Sequence, residues 1–228
     1  MWRYFRPDRL IDLLTTGELF FSSIAGLSDG LEGVLPVATR EQLVNERLSL
    51  GETLDSANES VNQFQRHRDQ FFVNCWSMNE CESYLIWEAY TARGCGYAIE
   101  TPHADLAAAF ESFNGVIDGN TITYIPHSSE TLRLPRIGNV FTAITHKDLA
   151  YRDEREFRLI FWSADPANAS VPTTPNGVRV QVDLGRLISR IHLRPKGTDS
   201  ADDAQKIATL AATRGLSCTF HATGIVDT

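Results

Sequence analysis

Tyr151-Arg-Asp-Glu-Arg-Glu-Phe-Arg-Leu-Ile-Phe-Trp162 reads as a strand with two opposite faces. Side chains alternate across an extended chain, so Glu154, Glu156 and Arg158 share one face and Phe157, Leu159 and Phe161 the other. Three charges in register on so aromatic a strand have two physical explanations. The face is open to solvent, or it lines a cleft where carboxylates and a guanidinium are held for chemistry. Exposed Glu/Arg pairs are nearly neutral energetically, so a half-exposed antiparallel strand accounts for the pattern without any function. The surrounding sequence has to choose between the two.

Downstream, Val178-Arg-Val-Gln-Val-Asp183 alternates and is expected to pair near this strand. Residues 189–193 read as a further strand, 201–214 as an amphipathic helix closed by Gly215, and 216–220 as the last strand. Upstream, 126–135 is a polar linker and 140–148 is expected to be helical. Phe71-Phe-Val-Asn-Cys-Trp-Ser77 is apolar enough for a buried strand, followed by a helix over 82–92 ended by Gly94, a strand over 95–100, a helix over 104–113 and a strand over 119–125. The chain opens with a strand, helix and strand over 2–22, and Pro7 and Gly17 bracket the helix. Residues 39–68 turn polar and helical with sparse apolar positions. Strands with interposed helices give an α+β class, with mixed, mostly antiparallel sheets and flanking helices. The expected organisation is one domain over 1–228 carrying a helical insertion at 38–70.

With 228 residues and 43% hydrophobic composition the chain has enough material for a substantial core. No apolar run approaches the roughly 20 residues needed to span a bilayer, and the N-terminus lacks the pattern of a signal peptide. The expectation is a cytoplasmic protein with no membrane partner. A formal charge of -8 argues against a nonspecific coat on duplex DNA, because that mode needs clustered Lys and Arg. Arg133, Arg136, His146 and Lys147 form one candidate basic pocket, with a solvated loop as the plainer explanation. Cys75, Cys81, Cys95 and Cys218 have no zinc-site spacing and read as reduced thiols. The six histidines show no two-histidine helical spacing, so no metal is expected.

Tyr84, Trp87 and Thr91 fall three or four apart in one helix and can project together. Such a stripe is either core packing or the edge of a ligand cleft. Ser77 with Glu80 fits a capping box, or places a hydroxyl near a bound ribose. No nucleophile-elbow glycine pattern accompanies it, which disfavours serine-hydrolase chemistry. No glycine-rich dinucleotide fingerprint is present, which excludes a Rossmann dehydrogenase but not other NAD sites.

Taken in order, Trp2-Arg-Tyr-Phe5, Leu19-Phe-Phe-Ser22, Ser28-Asp-Gly-Leu-Glu32, Cys75-Trp-Ser77, Ile86-Trp-Glu-Ala-Tyr90, Gly96-Tyr-Ala-Ile-Glu100 and Tyr151-Arg-Asp-Glu-Arg-Glu-Phe-Arg158 resemble the bacterial family catalogued as domain of unknown function 2971. Ser28 and Gly30 depart from its Asn and Pro, Ile86 from its Met and Tyr151 from its common Trp. That family is similar to the ADP-ribosyltransferase-like group. The resemblance implies an ADP-ribosyltransferase-like fold and a reaction that cleaves NAD as substrate. Arg3 or Tyr4 would contact the adenylate side, and Ser77 with Tyr90 would hold the nicotinamide ribose, Ser22 and Trp87 completing the binding set. Glu156 would bind the ribose hydroxyl and stabilise an oxocarbenium-like transition state, Glu154 would orient the acceptor, and Arg158 would position the glutamates or phosphates.

Two expectations of different class follow. The first is an NAD-dependent ADP-ribosyltransferase or NAD glycohydrolase, a toxin or phage-defence effector acting on a protein or nucleic-acid acceptor, with an antitoxin or defence-system partner. The second is a noncatalytic nucleotide- or partner-binding module. A nuclease using Asp153, Glu154 and Glu156 around a divalent ion is weaker, because no histidine or basic spacing accompanies them.

Overall fold

A computed structural model of the chain describes all residues except 28, 92–94, 130, 133–140, 195–200, 217–219 and 222–228, and no side chains at 64, 65, 220 and 221. Ser28, Gly94, Arg133, Arg136 and Cys218, named above, lie outside the described residues. In chain order the elements are β1 (Trp2–Phe5), α1 (Pro7–Thr16), β2 (Glu18–Ser23), α2 (Val37–Ser49), α3 (Leu54–Arg66), β3 (Phe71–Ser77), α4 (Tyr84–Tyr90) and β4 (Tyr97–Glu100). They continue with α5 (His103–Ala108), β5 (Asp118–Thr121), β6 (Thr123–Ile125), α6 (Phe141–Ile144), β7 (His146–Asp148), β8 (Glu156–Trp162), β9 (Thr173–Thr174), β10 (Gly177–Gln181), α7 (Leu184–Leu187), β11 (Arg190–Leu193), α8 (Ala201–Thr213) and β12 (Phe220–His221). The class is α+β with mostly antiparallel strand pairing and several helices. None of the described helices is long and apolar enough to cross a membrane.

The chain divides into two compact units. The first comprises Met1–Phe20, Cys75–Asn114 and Arg179–Thr228, and the second Phe21–Asn74 and Gly115–Val178. In the first unit β1 runs antiparallel to β4, pairing Trp2 with Glu100 and Phe5 with Tyr97. On its other side Trp2 pairs with Ser77 of β3. Beyond β4 lies antiparallel β11, which pairs in parallel with β12. Helix α1 forms because Pro7 stands in its first turn and Leu10, Leu13 and Leu14 make one buried stripe. Gly17 ends it at φ 73, with its N–H donating to the Leu13 carbonyl, a left-handed position that glycine adopts without steric cost.

The second unit contains the central segment of the sequence argument. Strand β8 pairs with β3 and with antiparallel β5, opposing Asn120 to Arg158 and Gly119 to Leu159. A Cβ on Gly119 would meet the Phe157 ring at 2.7 Å, so a larger residue here would have to push that ring aside. Beside this sheet lies the two-stranded parallel pair β6·β7, which opposes Tyr124 to Lys147. Helices α2 and α3 pack on each other within the 38–70 segment, tied by Arg40 donating to Asn62 at 3.0 Å.

Several local expectations are corrected. The strand expected over Tyr151–Trp162 begins only at Glu156, because Leu149–Glu154 forms a 3₁₀ turn capped by the Asp148 carboxylate accepting from the Ala150 N–H at 2.9 Å. The expected 140–148 helix is the four-residue α6 followed by strand β7. Strand β10 pairs with β9 and adjoins β2 rather than β8. The capping box at Ser77 does not form. Helix α4 starts seven residues later, after Ser83, and the Ser77 hydroxyl instead accepts from the Asn79 N–H at 3.3 Å.

Candidate functional site

The charged face of β8 is neither solvated nor the wall of an open cleft. Glu156 is 3% exposed and Arg158 is wholly buried. Burying such charges is tolerable only when they are paired and hydrogen-bonded, and the chain supplies partners from distant segments. Arg158 Nε donates to Glu156 Oε1 at 2.7 Å, its Nη2 lies 2.9 Å from Glu32 Oε2, and its Nη1 donates to the Ile144 carbonyl at 2.7 Å. The Lys147 ammonium fills the space among three carboxylates, 3.1 Å from Glu32, 2.7 Å from Glu154 and 3.3 Å from Glu156. It also stands 4.6 Å above the centre of the Tyr151 ring. Three carboxylates and two cations leave one excess negative charge in the cluster.

Glu154 and Glu156 reach this cluster from different backbone settings. Glu156 is the first residue of β8, and its N–H donates to the Tyr124 hydroxyl at 2.8 Å. Glu154 closes the 3₁₀ turn, and Arg155 between them sits at φ 44, the one non-glycine residue in the left-handed region among those described. Such a conformation costs about 1–2 kcal/mol and breaks the regular alternation. The Glu154 side chain keeps 18% of its surface exposed, against 4% for Glu156 and 2% for Glu32. Burial pushes the Tyr124 phenol up to about 12, the nearby Glu156 and Glu154 carboxylates adding to the rise while the Glu156 N–H opposes it. Asp153, the third acid of the nuclease alternative, is exposed to solvent and lies 4.0 Å from Arg152. Among the described residues no group of His, Cys, Asp or Glu is arranged to hold a metal ion.

The remaining sequence-predicted residues fall in the first unit, except Ser22, which pairs with Val73 in the second. Arg3 donates to the Cys75 carbonyl at 2.6 Å. The Tyr4 hydroxyl accepts from the Ser83 N–H at 3.0 Å, and burial pushes this phenol to about 12. Trp87 is fully buried against Trp2, Ala98 and Tyr4, and its indole N–H donates to Glu82 at 3.1 Å. Tyr84, expected on the same face, is exposed instead, as is Tyr90. Ser77 is buried. His192, not singled out from sequence, packs with its ring tilted 55° to that of Trp2 at 4.7 Å and lies 3.1 Å from Glu100 and 3.8 Å from Glu82. The structure therefore brings together Glu154, Glu156 and Arg158 in one unit, and Arg3, Tyr4, Ser77, Trp87 and Tyr90 in the other.

The sequence gives Glu32 no part in the charge cluster and offers Lys147 as a member of a basic pocket or, more plainly, of a solvated loop. His146-Lys147-Asp148 is polar throughout, so no alternation in the sequence marks Lys147 as the buried member of β7. The Glu32 contact had no signal beyond the loop motif itself. A scan against protein-family models and searches among curated proteins and solved structures gave no match to this chain.

Proposed function

We propose that this chain is an NAD-dependent ADP-ribosyltransferase-like enzyme that cleaves the nicotinamide–ribose bond and transfers or releases the ADP-ribosyl group. In this reading its fold is of the ADP-ribosyltransferase type, its relatives are the family of domain of unknown function 2971, and its role is that of a toxin or phage-defence effector on a protein or nucleic-acid acceptor. The observation that carries it is the Glu-x-Glu-x-Arg segment gathered around Lys147 and Glu32, with one carboxylate, Glu154, at the surface of an otherwise buried cluster.

The donor set fits the sugar end of NAD. The cluster has an excess negative charge, a carboxylate at its edge and the exposed Tyr151 ring on the same turn. Arg152 and Arg155, exposed on that turn, supply cations for a pyrophosphate. Departure of nicotinamide leaves positive charge on the ribosyl carbon, and a fixed carboxylate stabilises that charge more in the transition state than in the ground state. One preorganised contact of this kind contributes about 3–4 kcal/mol. From the relative burial of the two glutamates we assign Glu154 to the sugar and leave Glu156, held between Lys147 and Arg158, to anchor the cluster, the reverse of the roles implied by resemblance.

The burial of Glu156 and Arg158 also favours a second reading, a noncatalytic module in which the cluster only stabilises the fold around a nucleotide- or partner-binding surface. Purified protein incubated with NAD separates the two, with nicotinamide followed by chromatography and binding by calorimetry. Nicotinamide release supports the enzyme. Saturable binding without release selects the module, and neither signal removes NAD from both readings.

A further inference from the structure

We propose that Lys147 is a positioning residue that fixes Glu154, an inference that rests on the transferase reading above. Of the three carboxylates around its ammonium, Lys147 lies nearest to Glu154, the one that reaches the surface. Glu32 and Glu156 are each gripped a second time by Arg158. Glu154 sits on a less regular backbone. It ends a 3₁₀ turn, and the left-handed Arg155 that follows keeps the turn from continuing into β8. A carboxylate on such a turn samples several rotamers unless something ties it down.

Lys147 is built to do the tying. It is the buried member of β7, and its cross-strand partner Tyr124 receives the Glu156 N–H. The same ammonium lies over the Tyr151 ring and against Glu154, so it holds the Leu149–Glu154 turn at two points and ties that turn to Glu156 and Glu32. The electrostatic consequence is a carboxylate that does not have to reorient when charge develops on the sugar, which is the condition for large transition-state stabilisation. Misplacement of a reacting group by about 1 Å costs on the order of a hundredfold in rate.

Lys147→Ala alone would leave three carboxylates facing one guanidinium, and the resulting loss of stability would be mixed with any loss of positioning. The test therefore uses Lys147→Ala/Glu32→Gln, which removes one charge of each sign. In this variant, kcat for nicotinamide release is expected to fall about a hundredfold with KM for NAD essentially unchanged. Added methylammonium, entering the space left by the lysine, is expected to restore part of the rate. A crystal structure of the variant should show the Glu154 carboxylate displaced while the rest of β8 stays in place. A folded variant whose kcat stays within about threefold of wild type, against the hundredfold loss, overturns the proposal, as does Glu154 in its original position in the crystal. If the wild-type protein releases no nicotinamide the transferase reading falls, and the crystal structure still decides whether Lys147 positions Glu154.

Discussion

Replacing Arg158 with methionine should destabilise the protein by about 4 kcal/mol. Methionine fills much of the stem volume, so little of the effect comes from a cavity. What disappears is the ion pair to Glu156 at 2.7 Å, the ion pair to Glu32 at 2.9 Å and the donation to the Ile144 carbonyl at 2.7 Å. Removing one partner from a buried ion pair costs about 3–5 kcal/mol, because the surviving charge stays desolvated. The stranded carbonyl adds about 1 kcal/mol, and the apolar methionine stem returns a similar amount. The excess negative charge of the cluster doubles, so Glu32→Gln added to Arg158→Met should return about 1–2 kcal/mol, a coupling expected of residues in one network. The assay is urea unfolding followed by tryptophan fluorescence, to which Trp162 contributes from the second unit. With a slope of about 2 kcal/mol per molar, 4 kcal/mol moves the midpoint down by about 2 M. A loss below about 1 kcal/mol, the range of exposed pairs, would mean that solvent screens these charges and that the cluster is not buried.

Two further outcomes are expected. Tyr4 and Tyr124 titrate near 12 in the folded protein but at about 10 when unfolded, so the native state holds these protons longer. The stability they contribute is complete below pH about 10 and is lost as pH climbs toward 12; Tyr124→Phe should remove the Tyr124 share of that loss, and an unfolding midpoint flat across this window would contradict the burial of both phenols. At Gly96 an added Cβ would lie 2.5 Å from both Cβ and Cγ2 of Thr91, whereas at Gly26 it would meet nothing within 4 Å. Gly96→Ala should therefore cost about 1–3 kcal/mol through overpacking, with Gly26→Ala nearly neutral in thermal unfolding, and equal effects at the two sites would contradict the packing.

The parts of the fold legible in the sequence are those written in a short window. Pro7, the leucine stripe and Gly17 state where α1 starts, what it buries and where it stops. Phe71–Ser77, apolar almost throughout, announces a strand covered on both faces, and β3 has those bounds. The charged segment was half legible. Alternation put Glu156 and Arg158 on one side of β8, but the strand start was misplaced because the Asp148 cap competes locally with extension. That signal was present in Asp148 itself, two residues before the N–H it accepts.

The burial of the charged face was beyond a local reading. Nothing near Glu156 in sequence says that Glu32 and Lys147 bring the opposite and like charges that make burial tolerable; only the completed fold does. Trp87 shows the reverse case. Helical spacing placed it with Tyr84, but one side chain is core and the other is exposed, because the buried side of α4 is centred on Ile86 and Trp87. The capping box at Ser77 matched by spacing alone and lost to a turn that delays the helix to Ser83.

In the proposed reaction Glu154, presented by a buried charge cluster, is the carboxylate that drives nicotinamide departure. The most direct test of that role is single-turnover nicotinamide release from NAD by wild-type protein and by Glu154→Gln, with the unfolding midpoint of each measured alongside. Glutamine keeps an oxygen for Lys147, so the variant should fold with a midpoint close to wild type and release nicotinamide about 10²–10³-fold more slowly. A folded Glu154→Gln protein that releases nicotinamide at the wild-type rate would contradict that role.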